Sequence, residues 1–208
     1  YDLLARTSDP AARTLIQQHI NNLSIKAADY AIPNEFENLI TTYGGTGLNA
    51  YTSFDETVYH NVFAPQYIAQ WCELNSERLV SPVFRLFQGE LETVYEEKNM
   101  QADNMILQAA TVAQARGFAG TPYAWSVIGS TENLKNPRLS EMQKFYNSYY
   151  VAGNMGLVLS GDIQADSLRP LLERTFGRIK AGQAPASAKS VLPNFRGTSP
   201  LKLKLPIP

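Results

Sequence analysis

Two short runs rich in β-branched and aromatic residues, 48–54 and 57–63, stand on either side of Asp55-Glu56. Two strand-like segments joined by so short a turn read as a β-hairpin. A hairpin can only build an antiparallel pair, because a parallel pair needs a crossover of a dozen residues or more. Helical patterns surround the hairpin without any regular strand-helix-strand alternation. The expected fold class is therefore α+β, with an antiparallel-rich sheet packed against helices rather than a doubly wound parallel one.

The helical patterns are delimited by caps and breakers. Ser8-Asp9-Pro10 reads as a helix start, and Leu15, Ile16, Ile20, Leu23 and Ala27 then recur at helical spacing to about residue 30. Pro33 opens a shorter helix, with Phe36, Leu39 and Ile40 on its apolar face, which Gly44-Gly45-Thr46-Gly47 ends. Another helix follows Pro65, with Ile68, Trp71, Cys72 and Leu79 on one side. The pattern from about 83 to 116 lacks proline and holds glycine only at Gly89, and so predicts one long helix. Residues 140–150 and 166–176 predict two more helices, with a strand at 155–159 between them. Residues 181–200 are rich in Ala, Ser, Gly, Pro and Lys, as expected of a linker. Residues 201–206 alternate like a strand just begun. Residue 1 is not Met, and the opening residues lack the basic-then-apolar order of a signal peptide, so both ends are read as cut.

Composition excludes several function classes. The 208 residues carry 18 basic and 19 acidic side chains, a formal charge of −1, which offers no footprint for nucleic acid. No apolar run approaches the roughly 20 residues that span a bilayer. Cys72 is the only cysteine, so an internal disulfide is excluded, and it reads as a packed helix residue. His19 and His60 are not arranged as HExxH or HxxEH, and there is no GxSxG elbow. The glycines at 44–47 follow a helix rather than a strand and are not succeeded by GK[ST]. A tight helix-to-strand connection accounts for them better than a phosphate loop does. Glu90 and Glu97 lie seven residues apart, two helical turns, and so share one face. Two readings stay open on spacing alone: a solvated acidic face, or carboxylates turned toward a core where a metal or a shifted proton compensates their burial.

In register, several segments resemble one family. Gly44-Gly45-Thr46-Gly47-Leu48-Asn49-Ala50-Tyr51-Thr52 with Thr57-Val58-Tyr59 is similar to the "GG..NA.T....T.Y" stretch of insulinase/pitrilysin peptidases. Glu90-Leu91-Glu92-Thr93-Val94-Tyr95-Glu96-Glu97 resembles their "E...V..E" helix. Pro122-Tyr123, Gly129, Tyr149, Asn154-Met155 and Gly161-Asp162 follow in the same order, so the likeness runs from Pro33 to about Gly177.

The resemblance implies a zinc-dependent endopeptidase acting on peptides or unstructured polypeptides. Glu97 corresponds to the third zinc ligand and Glu90 to an accessory carboxylate near the catalytic site. Asn49, Ala50 and Tyr51 correspond to the edge strand on which the substrate is laid. The family's other ligands and its general base come from an HxxEH helix ahead of the glycine segment, and that motif is not found here. Residues 1–180 are therefore expected to be a partial N-terminal peptidase domain, with 1–32 a helical insertion. Residues 181–208 are expected to be a linker and the start of a next domain. The remaining ligands would come from the rest of the same protein or from a homologous half-molecule. The alternative is a non-catalytic subunit that binds peptides or acts as a scaffold. By resemblance alone the expected compartment is periplasmic or secreted.

Overall fold

A computed structural model describes residues 1–84, 86–187, 190–192, 194, 197 and 200–202. The second half of the alternating run expected at 201–206, like most of 193–199, lies outside the described residues.

A short helix, α1 (Asp2–Arg6), leads into α2 (Pro10–Ala28). The Asp9 carboxylate accepts a hydrogen bond from the Ala12 N–H at 2.7 Å, and Pro10 takes the first helical position, where no N–H is needed. After α3 (Glu35–Thr42) the chain turns in a Schellman motif. Gly44 N–H donates to Thr41 O at 2.9 Å and Gly45 N–H to Ile40 O at 2.8 Å, with Gly44 at φ +73°. Gly45 is required for a different reason. A Cβ there would sit 2.4 Å from the Cγ2 and 2.8 Å from the carbonyl oxygen of Ile40.

The turn delivers the chain into β1 (Thr46–Thr52), which pairs antiparallel with β2 (Thr57–Val62). This two-stranded sheet is the only one among the described residues. Ser53 organises its turn: its N–H donates to Glu56 O at 2.8 Å, while its hydroxyl accepts from the Glu56 N–H at 3.2 Å. A bulge between Thr46 and Asn49 interrupts the register near the glycines.

A turn of 3₁₀ helix (Pro65–Tyr67) opens α4 (Ile68–Val80), which packs against α9 (Ala165–Thr175). Trp71 stacks on Phe63 at 4.9 Å, and its indole N–H donates to Asn61 at 2.9 Å, so α4 is tied to the hairpin. The Arg178 guanidinium donates to Glu77 at 2.7 Å, and this bond holds the Glu77 carboxyl below its ordinary range. The Arg78 guanidinium lies 4.6 Å over both the Phe36 and Tyr59 rings, joining α3, α4 and β2. The Tyr59 hydroxyl meets that of Tyr150 at 2.7 Å, and Tyr150 stacks on Tyr146 of α8 (Leu139–Tyr149).

Two sequence expectations are corrected. The predicted long helix is two helices, α5 (Phe87–Ala102) and α6 (Met105–Gly117). Asn104 makes the break by accepting hydrogen bonds from the N–H groups of Ile106 and Leu107 at 3.0 and 3.1 Å. A polar N-cap ends a helix without help from proline or glycine, which is why the sequence pattern passed through it. Residues 155–159, expected as a third strand, form none. The segment runs on from extended backbone at Met155, but no neighbouring strand pairs with it among the described residues, and Val158 is 89% exposed. Just before it, Gly153 N–H donates to Gly182 O at 3.0 Å, so the chain after α9 returns alongside 151–153. Two short helices escaped sequence reading, α1 and α7 (Thr131–Lys135), the second capped by Ser130.

The buried apolar residues are few and scattered over the elements: Leu4, Ile20, Ile40, Cys72, Val151 and Leu168. Cys72 is fully enclosed, and burial pushes its thiol up to about 11.

Candidate active-site cleft

An antiparallel ladder alternates between residues that bond their partner and residues whose backbone groups point outward. Counting back from the bonded Ser53–Glu56 pair, Tyr51 faces Val58 and Asn49 faces His60 at bonded positions. Ala50 and Thr52 thus turn their N–H and C=O groups away from β2. Two observations agree with this count. The Thr52 and Thr57 hydroxyls approach to 3.3 Å, as close side chains do at a non-bonded pair, and the Ala50 N–H is met by Asn49 Oδ1 at 2.8 Å rather than by β2. The outer side of β1 is a free edge among the described residues.

A cavity of about 690 Å³ lies against the hairpin. Ala50, Tyr51 and Thr52 of β1 with Thr57 and Tyr59 of β2 line one side, Glu97 and Gln101 of α5 another, and the loop residues Ala124–Ile128 a third. Glu97 is exposed to the cavity solvent, and its Oε1 accepts from Gln101 Nε2 at 3.4 Å. Glu90, on the same helix, is exposed and does not line the cavity. Asn49 and His60 sit opposite each other on the hairpin, and the His60 and Tyr51 rings are 6.4 Å apart. His19 is exposed on α2. The cavity lining therefore brings Glu97, Ala50 and Tyr51 together and leaves Asn49, Glu90 and both histidines out.

The loop that closes the cavity was not foreseen. The Tyr123 hydroxyl donates to both carboxylate oxygens of Asp55, at 2.8 and 3.0 Å, which holds its phenol above the ordinary range. Gln114 Nε2 donates to Tyr123 O at 2.9 Å, and Lys98 Nζ to Gly129 O at 2.7 Å. The hairpin tip, α5 and α6 are thus all tied to one loop. Pro122-Tyr123 and Gly129 were the only sequence signals for it.

A zinc site needs three or four protein ligands from nitrogen, sulfur or carboxylate donors. No group of three His, Cys, Asp or Glu residues among the described residues is placed to hold a metal. The cavity supplies one suitable carboxylate, Glu97, so this donor set does not fit a complete zinc site.

A family model described as "Peptidase M16 inactive domain" matches residues 138–205. The zinc protease PqqE of Helicobacter pylori is 26% identical over 168 residues, covering 79% of this chain and 38% of that protein. The mitochondrial-processing peptidase subunit beta of Caenorhabditis elegans is 26% identical over 152 residues, covering 72% of this chain and 32% of its own length. A solved protease from Helicobacter pylori superposes with a TM-score of 0.67 at 26% identity, over 76% of this chain and 39% of that one. The chain is similar in sequence and in fold to M16 peptidases. An M16 inactive domain from Pseudomonas fluorescens, 18% identical, shares the fold at a TM-score of 0.67 over 74% of this chain and 38% of its own. The chain spans well under half the length of these relatives. The word "inactive" attaches to residues 138–205, which contain neither Glu97 nor β1.

Proposed function

We propose that this chain is part of a zinc-dependent endopeptidase that hydrolyses peptides or unstructured polypeptides. The observation that supports it is that Glu97 and residues Ala50, Tyr51 and Thr52 of β1 line one cavity. An extended substrate would add to β1 as a third strand, bonding the outward groups of Ala50 and Thr52 beside Asn49 and Tyr51. Asn49 Oδ1 would then yield the Ala50 N–H to the incoming carbonyl. Glu97 would be one of three protein ligands to zinc, with Glu90 an accessory carboxylate two turns away. When bound in such a site, zinc acidifies a water to a pKa of about 7.

Because the chain brings one carboxylate, the other ligands and the base would come from the remainder of the same protein or a homologous half-molecule. Within this proposal residues 1–180 are a partial peptidase domain, with 1–32 a helical insertion, and 181–208 lead toward a further domain. No described helix is long and apolar enough to cross a membrane. By resemblance alone, the compartment proposed is the periplasm or outside the cell.

A second reading, a non-catalytic peptide-binding or scaffolding subunit, is favoured by the incomplete donor set. One experiment separates them. Zinc content and cleavage of a quenched fluorescent peptide are measured on the chain alone and joined to its N-terminal flanking segment. The catalytic reading expects one zinc and cleavage only in the joined protein, with most of the zinc lost on Glu97→Gln. Full zinc retention after Glu97→Gln, or turnover by the 208-residue chain alone, refutes it. Peptide binding without zinc in the joined protein establishes the subunit reading.

A further inference from the structure

Trp125 is 75% exposed and lies on the cavity-closing loop, facing the space between that loop and β1. An indole left in water is not unusual by itself. This one differs because its backbone is fixed on both sides. Tyr123 is bonded to Asp55 and Gln114, Trp125 N–H donates to Pro122 O at 3.2 Å, and the turn closed by Gly129 N–H to Ser126 O at 3.0 Å is held by Lys98. The Tyr123 ring packs on Phe54 at 5.1 Å and on Phe118 at 6.0 Å, which stiffens the loop further. Tyr51 and Phe54, themselves 51% and 44% exposed, line the same cavity. An indole on a tethered backbone, sharing a cavity with two more aromatic rings, offers large apolar area at low entropic cost, as recognition surfaces do.

We propose that Trp125 is a specificity-determining residue of this cleft. It receives a large apolar side chain of an extended peptide paired to the outer edge of β1. The occupant is fixed by what surrounds the indole. The strand edge demands an extended backbone, and side chains of a paired strand alternate between its two faces, so every second one is presented to the cavity wall. The acidic group in the cavity, Glu97, is committed to the metal in the peptidase reading on which this rests. The wall around Trp125 is otherwise aromatic, aliphatic or uncharged polar. An aliphatic or aromatic side chain suits it, and a basic one has no free partner there.

Two measurements test this, both comparing wild type with Trp125→Ala and Trp125→Phe. In the first, the chain is titrated with blocked extended peptides that differ at one position, Leu or Phe against Ser or Lys. Tryptophan emission should shift to the blue with the apolar peptides only, and the shift should vanish in Trp125→Ala. Trp71, the other tryptophan, is already stacked and hydrogen-bonded. In the second, the joined protein is assayed on the same peptide series. Trp125→Ala should lose about 10-fold of the apolar-over-polar preference in kcat/KM, Trp125→Phe should keep most of it, and zinc content should stay at the wild-type level. Undiminished apolar preference in Trp125→Ala, a wild-type preference for Lys, or an emission already blue-shifted before peptide is added overturns the assignment. Zinc and cleavage persisting in those cases would leave the peptidase reading intact. An apolar-selective emission shift without zinc or hydrolysis in the joined protein would support Trp125 and remove the catalytic reading.

Discussion

Replacing Gly45 by alanine should destabilise the chain more than any other glycine-to-alanine change in the hairpin entry, for a reason visible in three distances. The added Cβ would lie 2.4 Å from Ile40 Cγ2 and 2.8 Å from Ile40 O, while the Gly45 N–H itself bonds that same oxygen at 2.8 Å. Carbon atoms rest about 3.5–4.0 Å apart, so the Ile40 methyl must retreat by about 1 Å. Ile40 is only 3% exposed, which leaves the movement to its packed neighbours. Overpacking of this kind costs about 1–3 kcal/mol, and weakening the capping hydrogen bond adds about 1 kcal/mol. A loss of roughly 2–4 kcal/mol corresponds to a Tm lower by about 5–15 °C for a chain of this size. Gly89→Ala is the control. Nothing lies within 4 Å of its added Cβ inside α5, so it should stabilise by about 0.5–1 kcal/mol. Urea and thermal unfolding followed by far-ultraviolet circular dichroism give both numbers. A Gly45→Ala variant as stable as wild type would refute the close-approach account of the glycine segment and reopen a ligand-binding one.

Two further outcomes follow from titratable groups. Burial first, and then the hydrogen bond to Tyr59, raises the Tyr150 phenol above its ordinary value. The neutral form is thus favoured by the fold, and its contribution is complete below the unfolded value of about 10 and is lost as pH rises through the folded one. Stability should hold from pH 7 to 9 and fall above about 10, and Tyr150→Phe should flatten that fall; an unchanged alkaline slope in the variant would contradict the assignment. Cys72, enclosed and with its thiol pushed up to about 11, should resist iodoacetamide at pH 8 until urea unfolds the chain. Prompt alkylation of the native protein, read by mass spectrometry, would show the site to be open.

Local chemistry made much of this structure legible. The Asp9-Pro10 start of α2, the glycine exit from α3 and the Ser53–Glu56 turn are written in residues whose preferences act within four positions. The position of Glu97 beside β1 could be anticipated only through likeness to a family, because helical spacing treats Glu90 and Glu97 alike and tertiary packing separates them. The break at Asn104 was missed because a side-chain cap leaves no gap in the apolar pattern. Residues 155–159 have the composition of a strand, but a strand exists only when a neighbour completes its ladder. Trp125 and the Tyr123–Asp55 tether gave no signal, since a contact across 68 residues has no sequence period.

The open side of β1 carries a consequence for handling the molecule. An edge that accepts one extended backbone does not discriminate among backbones, and natural sheets usually blunt such edges with charge, proline or cover. Here Asn49 shields a single N–H, and residues 48–52 carry no ionisable group except the Tyr51 phenol. Together with the unpaired run at 155–159, this makes the isolated chain prone to self-association through strand addition. Self-association should grow with protein concentration and diminish when a short extended peptide occupies the cleft. Light scattering during refolding, with and without such a peptide, would reveal the edge as a competition between substrate and neighbour.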